Sequence, residues 1–98
     1  MATSLDDIRR RIDALDSQVV GLLAQRERLV RAAAAFKSDE QGVRAPARVE
    51  QVISRVRALA GEQDASPEVV ERVYRTMISA FIDLELTEHH RAAAPDND

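Results

Sequence analysis

Two interleaved series of apolar residues, each repeating every seven positions, run through the first third of the chain and constrain its fold more than any other feature. They consist of Leu5, Ile12, Val19 and Ala33 in one series and of Ile8, Leu15, Leu22, Leu29 and Phe36 in the other. Only one glycine, Gly21, and no proline interrupts the pattern. Such a spacing predicts a single amphipathic helix of about 33 residues that ends near Lys37. Arg26 stands in the first series where an apolar residue is expected.

The predicted helix is too long to be covered by its own chain. Ser4 can cap it, and Asp6 and Asp7 then lie in the first turn, where the helix dipole favours anions. About 33 helical residues span about 50 Å. A compact chain of this size is roughly 26 Å across, if twice its expected radius of gyration is taken as a guide. We therefore expect a homodimer in which the long helices of two copies pack against each other.

Two further helices are predicted after the first. Residues 38–45 form a polar connection, and Pro46 then suits the first turn of a second helix. This helix carries apolar residues at helical spacing and ends at Gly61, in the usual place of a left-handed terminator. Ser66 and Pro67 mark the start of the third helix, because a capping residue is followed by proline at the first helical position.

The chain is therefore predicted to be all-α, with three helices of which the N-terminal one is very long. The third helix fades near Arg91, so we expect one helical domain over residues 1–91 and a disordered tail over residues 92–98. The composition agrees, since 98 residues suit one small domain and 45% of them are hydrophobic, with only three glycines and three prolines for turns.

Composition also excludes several classes of function. A net charge of −3 and only one Tyr, two Phe and no Trp give no reason to expect nucleic-acid binding. The absence of cysteine excludes disulfide bonds and thiolate metal sites and is compatible with a reducing cytoplasm. Every apolar run is too short for a membrane span or a signal peptide. We expect a soluble cytoplasmic protein with no nucleic-acid or membrane partner.

Three cations of the long helix have a spacing that bears on function. Lys37 follows Arg26 by eleven residues, which turns the direction by only about 20° beyond three full turns, so the two side chains share a face. Their separation of about 16 Å along the axis suits two side chains that reach toward a small anion between them. Arg9 lies about 25 Å before Arg26 and about 100° around the helix, so the two cannot bind one small molecule within a chain. An antiparallel partner helix could bring its own Arg9 close.

Two glutamates also lie beside apolar residues. Glu85 follows Ile78 by seven positions and Phe81 by four, which places a carboxyl group beside the apolar stripe of the third helix. Glu50 is expected on the inward side of the second helix, next to Val49.

Each of these residues also has an ordinary structural interpretation. Arg26 could bury its methylene groups in the seam and extend its charged end into water. Lys37 could lie in solvent at the end of the helix, and Arg9 could belong to a solvent-exposed helix face formed by the RRR cluster. Glu85 could pair with one of the arginines, and Phe81 is most simply a core residue. The spacings alone leave these alternatives open.

Taken together, the segments resemble the all-helical chorismate mutase family. The similarity lies in LDDIRRRIDALDSQVVGLLAQRERLV, AFK, APARVEQV and VYRTMISAFIDLEL, and it covers nearly the whole chain from Leu5 to about Arg91. In that family an arginine early in the first helix, an arginine seventeen residues later and a lysine eleven beyond it are active-site residues. Arg9, Arg26 and Lys37 match this spacing without a gap.

The resemblance implies an intertwined homodimer with two active sites, each completed by Arg9 of the other chain. The implied reaction is the Claisen rearrangement of chorismate to prephenate, which needs neither a metal nor a cofactor. Arg26 and the partner's Arg9 would each bind a carboxylate, and Lys37 would stabilise the negative charge that develops on the ether oxygen. Protonated Glu85 would donate a hydrogen bond to the same oxygen, and Glu50 would accept one from the ring hydroxyl.

Two departures from the family leave the substrate open. Many members carry an arginine twelve residues after the lysine, where this chain has Val49 with Arg48 beside it, and we include Arg48 among the substrate-binding residues. The segment APARV resembles the corresponding segment of a subgroup that contains isochorismate-pyruvate lyases and aminodeoxychorismate mutases. Glu50 favours a mutase, because an acid that recognises a hydroxyl is expected for chorismate. The non-enzymatic alternative is a helical dimerisation module.

Overall fold

A computed structural model of the chain describes residues 4–93, with side chains through Arg91. The described part contains helices and no strand, which confirms the all-α prediction. Of the predicted disordered tail, residues 92 and 93 belong to the last helix, and residues 94–98 lie outside the described residues. The elements are α1 Leu5–Ala34, α2 Glu40–Arg44, α3 Pro46–Glu62 and α4 Pro67–Ala93.

The long first helix is confirmed, with its predicted start and a slightly earlier end. The Ser4 hydroxyl accepts a hydrogen bond from the backbone N–H of Asp7 at 3.1 Å, as expected of a capping residue. The helix comprises 30 residues and ends at Ala34 rather than near Lys37. The backbone N–H groups of Phe36 and Lys37 instead donate to carbonyls three residues back, at 3.0 and 3.1 Å, which tightens the last turn.

The prediction of a plain polar connection over residues 38–45 is wrong, because the connection contains the short helix α2. The carboxylate of Asp39 caps this helix by accepting from the N–H of Gly42 at 2.8 Å. Val43 is only 3% exposed, so the single turn is held by a buried side chain as well as by its cap. Helix α3 then begins at Pro46, as predicted.

The prediction that Gly61 ends the second long helix in a left-handed conformation is also wrong. Gly61 lies inside α3, and the left-handed residue is Asp64, with φ of 57°. The N–H of Ala65 donates to the carbonyl of Ala60 at 2.8 Å, and that of Asp64 donates to the carbonyl of Gly61 at 3.3 Å. These two bonds form a Schellman motif, in which Asp64 takes the place that glycine usually occupies because a short polar side chain tolerates this conformation.

The core lies between α3 and α4. Arg57 of α3 donates to Glu71 of α4 at 2.8 Å, and Arg75 of α4 pairs with Glu50 of α3, so ion pairs join the two helices outside their apolar contact. The buried apolar side chains are Val43, Ile53, Val56, Ala60, Ile78 and Leu86.

Helix α1 has no buried residue within the single chain. The radius of gyration is 17.5 Å, compared with about 13 Å for a compact chain of this size, because one end of the long helix extends beyond the rest. The exposed apolar side chains of the seam are Leu5, Ile8, Ile12, Leu15, Val19, Leu22, Leu29 and Phe36. An apolar face of this extent is expected to be covered by another surface. The homodimer itself stays a prediction. No helix in the described part of the chain has the length and apolar character required to cross a membrane.

Candidate active site

An open cavity of about 320 Å³ lies between the C-terminal end of α1, the turn that joins α2 to α3, and α4. Four cations line it, together with one carboxylate and a wall of aliphatic and aromatic side chains. The charged residues are Arg26, Lys37, Arg44, Arg48 and Glu85. The cavity therefore combines an excess of positive charge with an apolar wall, as expected of a site for a small organic anion.

Lys37 and Glu85 form an ion pair at the base of this cavity. The ammonium nitrogen Nζ lies 3.0 Å from Oε2 and 3.1 Å from Oε1 of Glu85. The carboxylate is only 5% exposed, whereas the Lys37 side chain is 25% exposed. Lys37 is the only lysine among the 14 basic residues of the chain. The prediction that Glu85 lies beside the apolar stripe is confirmed, although its partner is the lysine rather than an arginine.

Arg26 is half-buried and lies at the cavity, as expected if its place in the seam serves a site. Its guanidinium carbon lies 5.3 Å from the centroid of the Phe81 ring. A guanidinium held over an aromatic face gains from the ring's charge distribution and keeps its edge free for hydrogen bonds. Phe81 therefore supports Arg26 rather than serving only as core. The sequence signal was its position four residues before Glu85, on the same face of α4.

Arg48 lines the cavity together with its neighbour Val49. Its Nη1 donates to Oε1 of Gln51 at 2.7 Å, so the guanidinium is bonded to a neutral group. Arg44 lines the cavity too and donates to Glu40 from Nε at 3.2 Å and from Nη2 at 3.0 Å. The sequence prediction does not include Arg44, because the composition of residues 38–45 indicates a polar connection rather than a helix at the cavity.

Glu50 does not line the cavity. Its carboxylate accepts two hydrogen bonds from Arg75, at 2.8 Å from Nη1 and at 2.9 Å from Nη2, and its side chain is exposed. These hydrogen bonds, helped by the positive charge of Arg75, lower the pKa of Glu50 below its ordinary value. Arg75 also lowers the pKa of Glu71 through a hydrogen bond, with a smaller effect from Arg57. The expected inward position of Glu50 is therefore not the one observed, because a guanidinium on α4 holds it outside.

The structure thus brings together four of the predicted site residues, Arg26, Lys37, Arg48 and Glu85, and leaves two apart. Arg9 is exposed in the first half of α1, far from the cavity of its own chain, and its role stays a prediction about a second copy. Within residues 4–93, no three His, Asp or Glu side chains are grouped as a metal ion would require.

The chemistry of the lining points to binding and electrostatics. Among the side chains that line the cavity, none carries a hydroxyl, thiol or imidazole group. The two groups that could act on a proton, Lys37 and Glu85, are bonded to each other. Such a site can hold an anion in a chosen conformation and stabilise negative charge that develops near Lys37.

Comparison with known proteins agrees with this geometry. The family model described as chorismate mutase type II matches residues 8–86. The isochorismate pyruvate lyase of Pseudomonas aeruginosa is 34% identical over 80 residues, which are 82% of this chain and 79% of the lyase. The region matched by the family model includes every residue that lines the cavity.

Proposed function

Because the chain belongs to the chorismate mutase type II family, we propose that it catalyses the rearrangement of chorismate to prephenate without a cofactor. The observation that carries this proposal is that Lys37, paired with the buried carboxylate of Glu85, lines the same cavity as Arg26 and Arg48. A dicarboxylate needs cations on two sides, and an ether oxygen that gains negative charge needs a donor between them.

Side chains of the cavity take most of the roles in this reaction, and the remaining one is left to a second copy of the chain. Arg26, steadied by Phe81, binds one carboxylate through two parallel N–H donors. Lys37 donates to the ether oxygen as the carbon–oxygen bond breaks. The apolar wall holds the substrate in the compact conformer in which the two reacting carbons meet. The reaction is a concerted shift within one molecule, so no covalent bond to the protein is required.

Glu85 acts only after two changes. In the free protein its carboxylate accepts from Lys37 through both oxygens. To donate a hydrogen bond to the ether oxygen, Glu85 takes up a proton and releases Lys37 toward the substrate. Glutamine offers an amide donor at the same place without taking up a proton, so we expect Glu85→Gln to keep turnover and Glu85→Leu to lose it. Equal turnover in the two variants removes Glu85 from the mechanism.

The second carboxylate is assigned to Arg9 of another copy, with Arg48 beside it. A homodimer with antiparallel α1 helices would bring Arg9 to the open side of the cavity and would cover the exposed seam of α1 at the same time. Both requirements, a missing cation and an uncovered apolar face, lead to the same partner.

Isochorismate pyruvate lyase is the second candidate, and two observations favour it. The curated relative at 34% identity carries that name. Glu50, on which the preference for a mutase rested, is bonded to Arg75 outside the cavity. The same cage of cations would serve a pericyclic elimination, since that reaction also separates an ether oxygen from a carbon within a dicarboxylate.

The test is incubation of the pure protein with chorismate and, separately, with isochorismate. Formation of prephenate supports the mutase, and formation of salicylate with pyruvate supports the lyase. Lys37→Ala is the matched inactive control for both reactions. If neither product forms, and if a bicyclic dicarboxylate mimic of the transition state does not raise the melting temperature, the helical dimerisation module remains as the function.

A further inference from the structure

Arg44 is the cavity cation that neither the spacing of the long helix nor the family resemblance singled out. It is the last residue of α2, next to Val43, whose burial fixes the short helix against the rest of the chain. Ala45 follows in a left-handed conformation, with φ of 38° and ψ of 61°, and reverses the chain into α3. This turn places Arg44 and Arg48, from two different helices, on the same cavity.

The four cations of the cavity differ in what holds them. Lys37 is paired with the buried carboxylate of Glu85. Within residues 4–93, Arg26 rests on Phe81 and Arg48 is bonded to the amide of Gln51, so neither has a carboxylate partner. Arg44 is paired with Glu40, four residues earlier on the same helix.

The ion pair between Arg44 and Glu40 can give way to a contact between Arg44 and a ligand at little cost in stability. Both side chains are exposed, at 54% and 52%, and an exposed pair of this spacing contributes little to stability. Nε and Nη2 of Arg44 both donate to a single oxygen, Oε1 of Glu40. In the described part of the chain, Nη1 of Arg44 has no hydrogen bond, so one edge of the guanidinium remains available for a second carboxylate.

We infer that Arg44 is a further substrate-binding residue, which Glu40 restrains in the free protein and which turns to a carboxylate of the bound substrate. The inference rests on the proposed function, because it takes the ligand to be a small dicarboxylate. It adds that one of the ligand's carboxylates is met within a single chain by a cation of α2. Arg44 contacts no reacting atom in this scheme, so it contributes to binding rather than to the bond change.

The test is calorimetric titration of the full chain with a bicyclic dicarboxylate mimic of the transition state. Arg44→Ala is expected to weaken binding about tenfold, because a charge-assisted hydrogen bond to a carboxylate is lost. Arg55→Ala is the matched control, since Arg55 is an exposed arginine of α3 outside the cavity and its removal changes the net charge equally. Its Kd is expected to stay within about twofold of the wild type.

Glu40→Gln separates this inference from a purely structural role of the pair. If Glu40 restrains Arg44, its removal releases the guanidinium and tightens binding by about threefold. If the pair only stabilises α2, both Glu40→Gln and Arg44→Ala weaken binding alike, and the inference is overturned. In turnover, Arg44→Ala is expected to raise KM with little change in kcat, since its contact is the same in ground and transition states.

The outcomes distinguish this inference from the proposed function. Equal Kd values for Arg44→Ala, Arg55→Ala and the wild type overturn the role of Arg44 alone. A wild type that neither binds the mimic nor turns over either substrate overturns the proposed function as well. Arg44→Gln serves as a second variant if Arg44→Ala does not fold, with circular dichroism as the check on helix content.

Discussion

The α3–α4 pair and helix α1 differ in how their apolar surface is covered. Helices α3 and α4 bury aliphatic side chains against each other and are joined by ion pairs from Arg57 and Arg75. Helix α1 buries none of its residues in the single chain, although its apolar residues repeat more regularly. The most regular seam of the molecule is therefore the one that the chain does not cover itself.

The two ends of α1 sharpen this contrast. Toward its C-terminal end, α1 packs against α4. There Arg26 lines the same cavity as Lys37 and Glu85. Toward its N-terminal end, Arg9 and the apolar residues beside it are exposed. The uncovered N-terminal half thus carries Arg9, which we propose completes the site of a second copy.

The largest effect is expected from a charge placed in the uncovered seam. Leu15 is 57% exposed in the single chain, and Leu15→Asp would place a carboxylate in the proposed helix–helix contact. Burial of an unpaired charge costs several kcal/mol, about 3 or more, so the variant should sediment as a monomer while the wild type sediments at twice the 10.9 kDa of the chain.

Ser17→Asp is the matched control for the seam. Ser17 lies two residues after Leu15 and points about 200° around the helix, so a charge there should leave the assembly unchanged. A wild type that is monomeric at working concentrations, or two variants that behave alike, would contradict the contrast between covered and uncovered helices.

The second-largest effect is expected from a substitution of Lys37 in the cavity. Lys37→Ala should reduce kcat by about 10²- to 10³-fold, because the donor to the developing charge is removed. The same change leaves the buried carboxylate of Glu85 without its partner and should cost about 2–4 kcal/mol in the free energy of unfolding. The double variant Lys37→Met, Glu85→Leu should regain most of that stability and none of the activity, which chemical denaturation and a turnover assay would separate. Full activity in Lys37→Ala would remove the cavity from the mechanism.

A smaller effect tests the ion pairs that join α3 to α4. Arg75 lowers the pKa of Glu50 and of Glu71 in the folded chain, so both carboxylates add stability above their ordinary pKa of 4.5 and lose it as pH falls through the lowered values. Arg75→Gln should therefore be less stable than the wild type at pH 7, and the difference should shrink below pH 4.5. Urea midpoints at both pH values measure this, with Arg55→Gln as an exposed control. A difference that persists in acid would assign the effect to packing instead.

The smallest effect is expected at the turn between α2 and α3. Ala45 has a left-handed backbone that costs an alanine about 1–2 kcal/mol, and glycine adopts it without that cost but loses more entropy on folding. Ala45→Gly should therefore stabilise the chain by about 0.5 kcal/mol. Asp64→Gly, at the other left-handed residue, should gain less because aspartate already tolerates the conformation. If thermal unfolding shows that Ala45→Gly and Asp64→Gly stabilise the chain equally, backbone strain at Ala45 is not the cause of its stabilisation.

The sequence predicted those features that depend on regular helical spacing. The seam of α1 and the shared face of Arg26 and Lys37 follow from helical spacing, and the Ser4 cap follows from capping preference. The place of Glu85 beside them was implied by the family resemblance. Helix α2 was missed because its Asp39 cap is only part of what holds it, and the burial of Val43 depends on α4 and not on local sequence.

Two other predictions failed, one for a local and one for a non-local reason. The end of α3 is set by a Schellman motif around Asp64, although Gly61 is the better left-handed residue by its own propensity. The outward position of Glu50 is set by Arg75, which lies 25 residues later in the chain. Spacing along one helix cannot reveal which charge a neighbouring helix presents to it.

The central claim is that the cavity of one chain is completed by Arg9 of a second copy. Arg9→Ala and Arg26→Ala, each inactive alone, should restore turnover when refolded together, because a mixed dimer contains one site with both arginines intact. Random pairing should return about one quarter of the wild-type activity, since half of the dimers are mixed and one of their two sites is whole. Activity in Arg9→Ala alone, or no recovery in the mixture, would contradict the claim.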